Sequence, residues 1–253
     1  MRNVILSFLI FLGLICSATA QSNTGTIKGH VHISGKLPGN PVIRMGMDPM
    51  CAKASAGKRI LQEYVAATAD GSLANVFVNV KGNVPQTPVP AQSVTLDQRG
   101  CLFYPRVVGL RVGQTLQVKN SDAFLHNAHA LSGKDQGFNV GQPTAGNVYN
   151  WKAKTEETML HLKCDIHTWM NAYVGIVTNP YFAVSDMAGT FQIDKVPPGT
   201  YTLQAWHERF GTVTKTVTVK PGAAVTVDFT YTGNEKSNTS SLQELIIPGK
   251  LRS

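Results

Sequence analysis

Cys164, His167 and Met170 stand three residues apart in the segment LHLKCDIHTWMNAYVGIV, and their side chains suit a soft metal. Copper cycles between a soft monovalent state, which favours thiolate and thioether, and a harder divalent one; imidazole suits both. Two His and one Cys with a weak axial Met form the blue-copper (type 1) arrangement, which serves one-electron transfer. A protein that imposes this geometry leaves little to rearrange when the electron moves. The local run supplies one imidazole, so a second must come from another strand. The segment VKNSDAFLHNAHAL offers His126 and His129.

The elements that must position these residues are strands. Leu160, Leu162 and Cys164 share one strand face, expected on the core side, and Met159, His161 and Lys163 share the other. Cys164 then ends a strand pointing inward, His167 and Met170 follow in a loop, and Tyr173 resumes a strand. His161 points the wrong way to join them. A strand carrying Leu116 and Val118 ends near Asn120, which places His126 on the loop beyond it; His129 is expected to pack or to lie on a strand face. Asn127 can hydrogen-bond across to the ligand loop and hold the Cys sulfur.

Elsewhere the pattern is also β. Residues 26–34, 76–80, 190–193, 200–203, 214–219 and 225–231 are short alternating or β-branched runs separated by Gly, Pro and Asn clusters, as in an all-β sandwich or barrel. Only 48–61 could hold a short helix.

The N-terminus predicts export. Arg2, an apolar run from Val4 to Ile15 and Ala18-Thr19-Ala20 describe a secretory signal peptide cleaved after Ala20. The run is shorter than the roughly 20 apolar residues a membrane span takes. Ile15 before Cys16 makes a poor lipobox, so Cys16 is expected to leave with the leader. No later long apolar run predicts an integral membrane segment, and the expected location is periplasmic or secreted. Cys51, Cys101 and Cys164 remain. An odd count in an exported chain asks for one disulfide plus one special thiol, and because the motif claims Cys164, Cys51 and Cys101 are the expected pair. The formal charge is +8, with Arg2 contributing one. Lys and Arg are dispersed without a basic, aromatic-interleaved stripe, which argues against nucleic acid and for acidic protein partners. No G-x-S-x-G, H-E-x-x-H or paired-carboxylate cluster occurs, so no enzyme activity is expected.

HNAH followed by CDIHTWM resembles the cupredoxins, in particular the short C-x-x-H-x-x-M loop of amicyanin; plastocyanin and azurin loops are similar but longer. The resemblance covers roughly residues 105–178. It implies a Greek-key β-sandwich holding one type 1 copper, with His126, Cys164, His167 and Met170 as ligands, Asn127 supporting them, and redox proteins as partners. It also implies His167, in an exposed loop, as the electron port. Thr168 stands where amicyanin-like loops usually carry Pro, which leaves loop rigidity open. AGTFQIDKVPPGTYTLQAW and VTVKPGAAVTVDFTY resemble the carboxypeptidase regulatory-like (transthyretin-like) β-sandwich over roughly residues 180–232. GTIKGHVHISGKLP resembles that module's first strand, so either the metal domain is inserted into the module or the two share an edge strand. The expected organisation is a leader at 1–20, a cupredoxin-like domain at 21–179 with 25–38 able to pair with the second module, that module at 180–232, and a mobile tail at 233–253.

Two other functions compete with electron transfer. Met45, Met47 and Met50, beside Cys51, could carry monovalent copper, although an irregular loop with adaptable apolar side chains is the favoured explanation. A metal-free module that binds glycan or protein on a cupredoxin scaffold is the other. His30 and His32 share a strand face and are expected to be exposed polar positions. Trp206-His207-Glu208 is expected to pack the second module onto the first. Trp169, inside the ligand loop, could shield a metal or anchor a partner.

Overall fold

The computed structural model describes residues 23–235. The leader expected at 1–20, with Cys16, and the expected tail beyond residue 235 lie outside the described residues. The chain order begins β1 (Gly25–Ile33), a 3-10 turn (Met45–Met47), α1 (Pro49–Ala54), β2 (Phe77–Lys81) and β3 (Val94–Arg99). It continues through β4 (Leu102–Tyr104), β5 (Val107–Arg111), β6 (Thr115–Asn120), β7 (His126–Leu131), β8 (Phe138–Gln142) and β9 (Val148–Lys152). Next come β10 (Glu157–Lys163), β11 (Asn171–Val177), β12 (Phe182–Val184), β13 (Thr190–Val196) and β14 (Gly199–His207). The last three strands are β15 (Gly211–Val219), β16 (Ala224–Thr226) and β17 (Phe229–Tyr231).

These strands form four sheets stacked as two sandwiches. The orders are β4-β3-β6-β9, β5-β11-β10-β7-β8, β12-β2-β14-β15, and β13-β1-β16 with β17 also on β1. The first two sheets enclose one core, with Leu96, Leu116 and Val118 facing Leu110, Leu160, Leu162 and Val174. The last two enclose another, with Val78, Val80 and Leu203 facing Ile27, Val31, Phe191 and Phe229. Strand pairing thus divides residues 25–177 otherwise than at a boundary of 179. Both β1 and β2 pair only within the second sandwich, and the first sandwich, β3 to β11, is an insertion between β2 and β12. The inserted sandwich holds the chain's Cys-His-Met segment.

A third apolar layer joins the sandwiches. Val107, Met159, Tyr173 and Val177 meet Phe77 and Trp206, with Phe182 and Val184 against them. This layer explains why every residue of β11 is buried: Ala172, Val174 and Ile176 face the inner core, and the alternate residues face the second sandwich. It also explains why Met159, expected on an outward face, is only 5 % exposed. Gly109 and Gly175 are register partners in β5 and β11, and they leave room for the Phe182 and Phe77 rings, which lie tilted against each other. A Cβ at Gly175 would lie 2.5 Å from Phe77. Gly175→Ala is therefore expected to lower stability by about 1–3 kcal/mol through overpacking. Phe77→Leu in the same chain should recover part of that loss in chemical denaturation, a non-additivity that marks direct contact.

Candidate metal centre

Alternation in β7 decides which His enters the site. His126, Ala128 and Ala130 face the inner core, while Asn127, His129 and Leu131 face the other way. His126 is thus the first residue of a strand rather than part of a loop, because the chain pairs with Gln142 of β8 from that residue onward. His129, on the opposite face, bonds Asp165 at 2.9 Å. The turn after β10 then brings Cys164 and His167 beside His126.

His126 Nδ1 and His167 Nδ1 are 3.0 Å apart, and Cys164 Sγ lies 3.7 Å from His167 Nδ1. The three ligand atoms lie within 4.8 Å of one another, and all three residues are buried. The thiol sulfur accepts backbone N–H bonds from Asn127 (3.5 Å) and His167 (3.4 Å). Met170 is fully buried in the same core, and its backbone closes the loop: its N–H donates to His167 O and its carbonyl accepts from Cys164 N–H. Asn127 reaches across as well, its side-chain oxygen accepting the Asp165 N–H at 2.5 Å. Phe124 and Trp169 flank the two imidazoles at ring distances of 5.1 and 5.3 Å.

The far nitrogens are held by two carboxylates that sequence reasoning missed. His126 Nε2 donates to Asp122 Oδ2 at 2.8 Å, and His167 Nε2 to Asp48 Oδ2 at 3.1 Å. A carboxylate only accepts, so each Nε2 carries its proton and each Nδ1 is turned toward the thiol. This is how outer partners orient metal-binding imidazoles. Asp122 had a weak local signal in its i, i+4 spacing to His126. Asp48 had a helix-start signal, an Asp just before Pro49, but nothing in the sequence tied it to His167.

The electrostatics follow from these contacts. Burial pushes the Cys164 thiol up, but hydrogen bonds with His126, His167 and the two amides outweigh it and bring the pKa down to about 6. Burial likewise opposes charge on His126, yet Asp122 and the thiolate hold it up at about 9. His167 is raised for the same kind of reason, by Cys164 and Asp48 against burial. These shifts favour a deprotonated Cys164 beside a protonated His126 in the metal-free protein.

His167, expected as a port in an exposed loop, is 2 % exposed, because the segment from Met45 to α1 folds over it and presents Asp48 to its outer nitrogen. The three methionines of that segment do not share an environment: Met45 is buried in the core, while Met47 and Met50 are 82 % and 44 % exposed. The expected Cys51–Cys101 disulfide is formed, and Cys164 is free and buried. His30 is half-buried and bonds Ser72. Among the described residues, no helix is long and apolar enough to cross a membrane.

The family model for the carboxypeptidase regulatory-like domain matches residues 170–232, starting within the turn that carries Met170. No curated protein sequence matches the chain. Among solved structures, a purple cupredoxin from Nitrosopumilus maritimus is 17% identical, with TM-score 0.29, over 32% of this chain and 97% of that one. An oxidised amicyanin variant is 18% identical, with TM-score 0.31, over 37% and 96%. The copper-containing nitrite reductase of Thermus scotoductus SA-01 is 18% identical, with TM-score 0.31, over 58% of this chain and 28% of that one. Scores this low add no weight; the site geometry stands on its own.

Proposed function

We propose that this chain is an exported, cupredoxin-like mononuclear copper protein that carries electrons in the periplasm or outside the cell. One observation carries the reading: the buried Cys164 sulfur faces two imidazole rings whose outer nitrogens are each tied to a carboxylate. The donor set fits copper, since thiolate and imidazole together serve both of its oxidation states. His126, Cys164 and His167 would hold the ion, with Met170 as a weak fourth ligand. Copper bound there would supply one-electron chemistry. The chain's own residues keep the thiolate charged, keep both Nδ1 atoms directed inward and exclude water. On this reading the protein turns over no substrate and exchanges electrons with redox partner proteins, acidic ones being favoured by its charge of +8. The exposed Ile166, Met47 and Met50 belong to the segments nearest His167 and offer those partners apolar surface. The disulfide suits an oxidising compartment.

Copper carriage by the methionine segment is less well supported, because Met45 is buried while Met47 and Met50 face solvent. Titration of metal-free protein with divalent copper tests the proposal. The expected result is one equivalent bound, with an intense thiolate-to-copper absorption that survives His129→Ala and is lost in His126→Ala. A folded protein that binds no copper, or whose absorption ignores His126, would overturn the reading.

A further inference from the structure

The two carboxylates that hold the imidazoles are themselves held by the two halves of the disulfide. Asp48 caps α1: its Oδ1 accepts the N–H groups of Met50 (2.8 Å) and Cys51 (3.1 Å), while Oδ2 takes His167. Asp122 Oδ1 accepts the N–H of Gly100 (2.8 Å), and its Oδ2 accepts the N–H of Cys101 (2.9 Å) and also takes His126. Each ligand His is thus one carboxylate away from the backbone of one bridged cysteine. The sulfurs themselves pack against the site. Those of Cys51 and Cys101 form a cluster with a His167 ring nitrogen, and that of Cys101 forms another with Asp122 and His126, each spanning at most 4.8 Å. The Trp169 indole N–H, from the ligand loop, donates to Cys101 O at 2.9 Å. The bridge joins residues 50 apart in sequence, and both cysteines are fully buried.

We propose that the Cys51–Cys101 disulfide is a positioning element of the metal centre, which locks Asp48 and Asp122 so that both imidazoles present Nδ1 to Cys164. The inference rests on the copper reading for its purpose but not for its geometry. Without the bridge, α1 and its cap are attached near the site only by non-covalent contacts, so Asp48 can leave His167. Asp122 keeps its link through the turn of β3 and β4 but loses the packing that seats Cys101. His167 should therefore loosen first, then His126.

The test compares the parent with Cys51→Ala/Cys101→Ala, and with Asp48→Ala and Asp122→Ala singly. In metal-free protein, nitrogen-15 spectra of the imidazoles should show both Nε2–H protons protected from solvent exchange in the parent. The bridge-free chain should lose the His167 Nε2–H signal while its sheet amides keep their shifts, and copper affinity should fall about 10–100-fold, as for loss of an outer partner. Asp48→Ala should release the His167 ring alone, and Asp122→Ala the His126 ring alone. Unchanged ring signals and copper affinity in the bridge-free chain would reduce the disulfide to a staple and overturn the proposal. If that chain does not fold, the Asp variants decide: no change in either ring would leave the bridge no route to the site. Failure of the parent to bind copper would instead sink the functional reading, while the ring spectra would still report the positioning.

Discussion

Cys164→Ser is expected to abolish the thiolate-to-copper absorption and to leave a folded protein. The sulfur sits at zero exposure between two imidazoles and two backbone N–H donors. A serine oxygen can still accept from the amides, so the cost to folding is small, about 1 kcal/mol on the scale of one altered buried hydrogen bond. The hydroxyl does not ionise near neutral pH, however, whereas this thiol is brought down to about 6. The charge that would compensate a bound cation is lost, along with the soft donor that suits monovalent copper. Copper affinity should fall by more than the about 10–100-fold that loss of a supporting residue costs. Absorbance during copper titration, with denaturation of the metal-free variant as the control for folding, measures both. A variant that keeps the intense band would place the chromophore elsewhere.

Glu208→Ala is expected to cause the largest loss of stability, about 3–5 kcal/mol, the range for removing one partner of a buried ion pair. Arg106, just before β5 in the inserted sandwich, donates through Nε and Nη2 to both oxygens of Glu208, which follows β14 in the other sandwich. The side chains are 12 % and 3 % exposed. Burial disfavours the Arg106 charge, and Glu208 overcomes it and holds the guanidinium above its ordinary range. Taking away the carboxylate leaves a buried cation without its counter-charge, beside the Tyr64 ring at 5.7 Å and Tyr173. Because the pair spans the two sandwiches, the loss falls on their packing along Tyr173 and Trp206. Chemical denaturation of the single variant and of Arg106→Met/Glu208→Leu separates the causes. The double replacement should recover most of the loss, since apolar groups of similar volume fill such sites without a desolvation cost. A single-variant loss below about 1 kcal/mol would mean the pair is solvated like a surface bridge.

Much of this was legible in the chain alone. The alternation around Leu160 and Leu162 places Cys164 on the core side because strand side chains alternate with period two. The odd number of cysteines beyond the expected leader pointed to Cys51 and Cys101 as partners. The Cys164, His167 and Met170 spacing marks a candidate ligand loop without any partner strand. These are local regularities, each carried within about ten residues or by composition.

Tertiary structure decided the rest, for the reason that contacts between distant segments leave no period in the sequence. Asp48 lies 119 positions from His167, yet it covers that ring and closes the surface where an exposed port was expected. Pairing assigned β2 to the second sandwich, although its sequence reads the same whichever sheet it joins. Sequence reasoning preferred His126 to His129 but placed it on a loop; in the structure it opens β7, and alternation from that residue turns His126 to the core and His129 to the opposite face. The sequence by itself determined which side chains could bind a metal; the packing of distant strands and one covalent bridge decided which of them meet, and in which orientation.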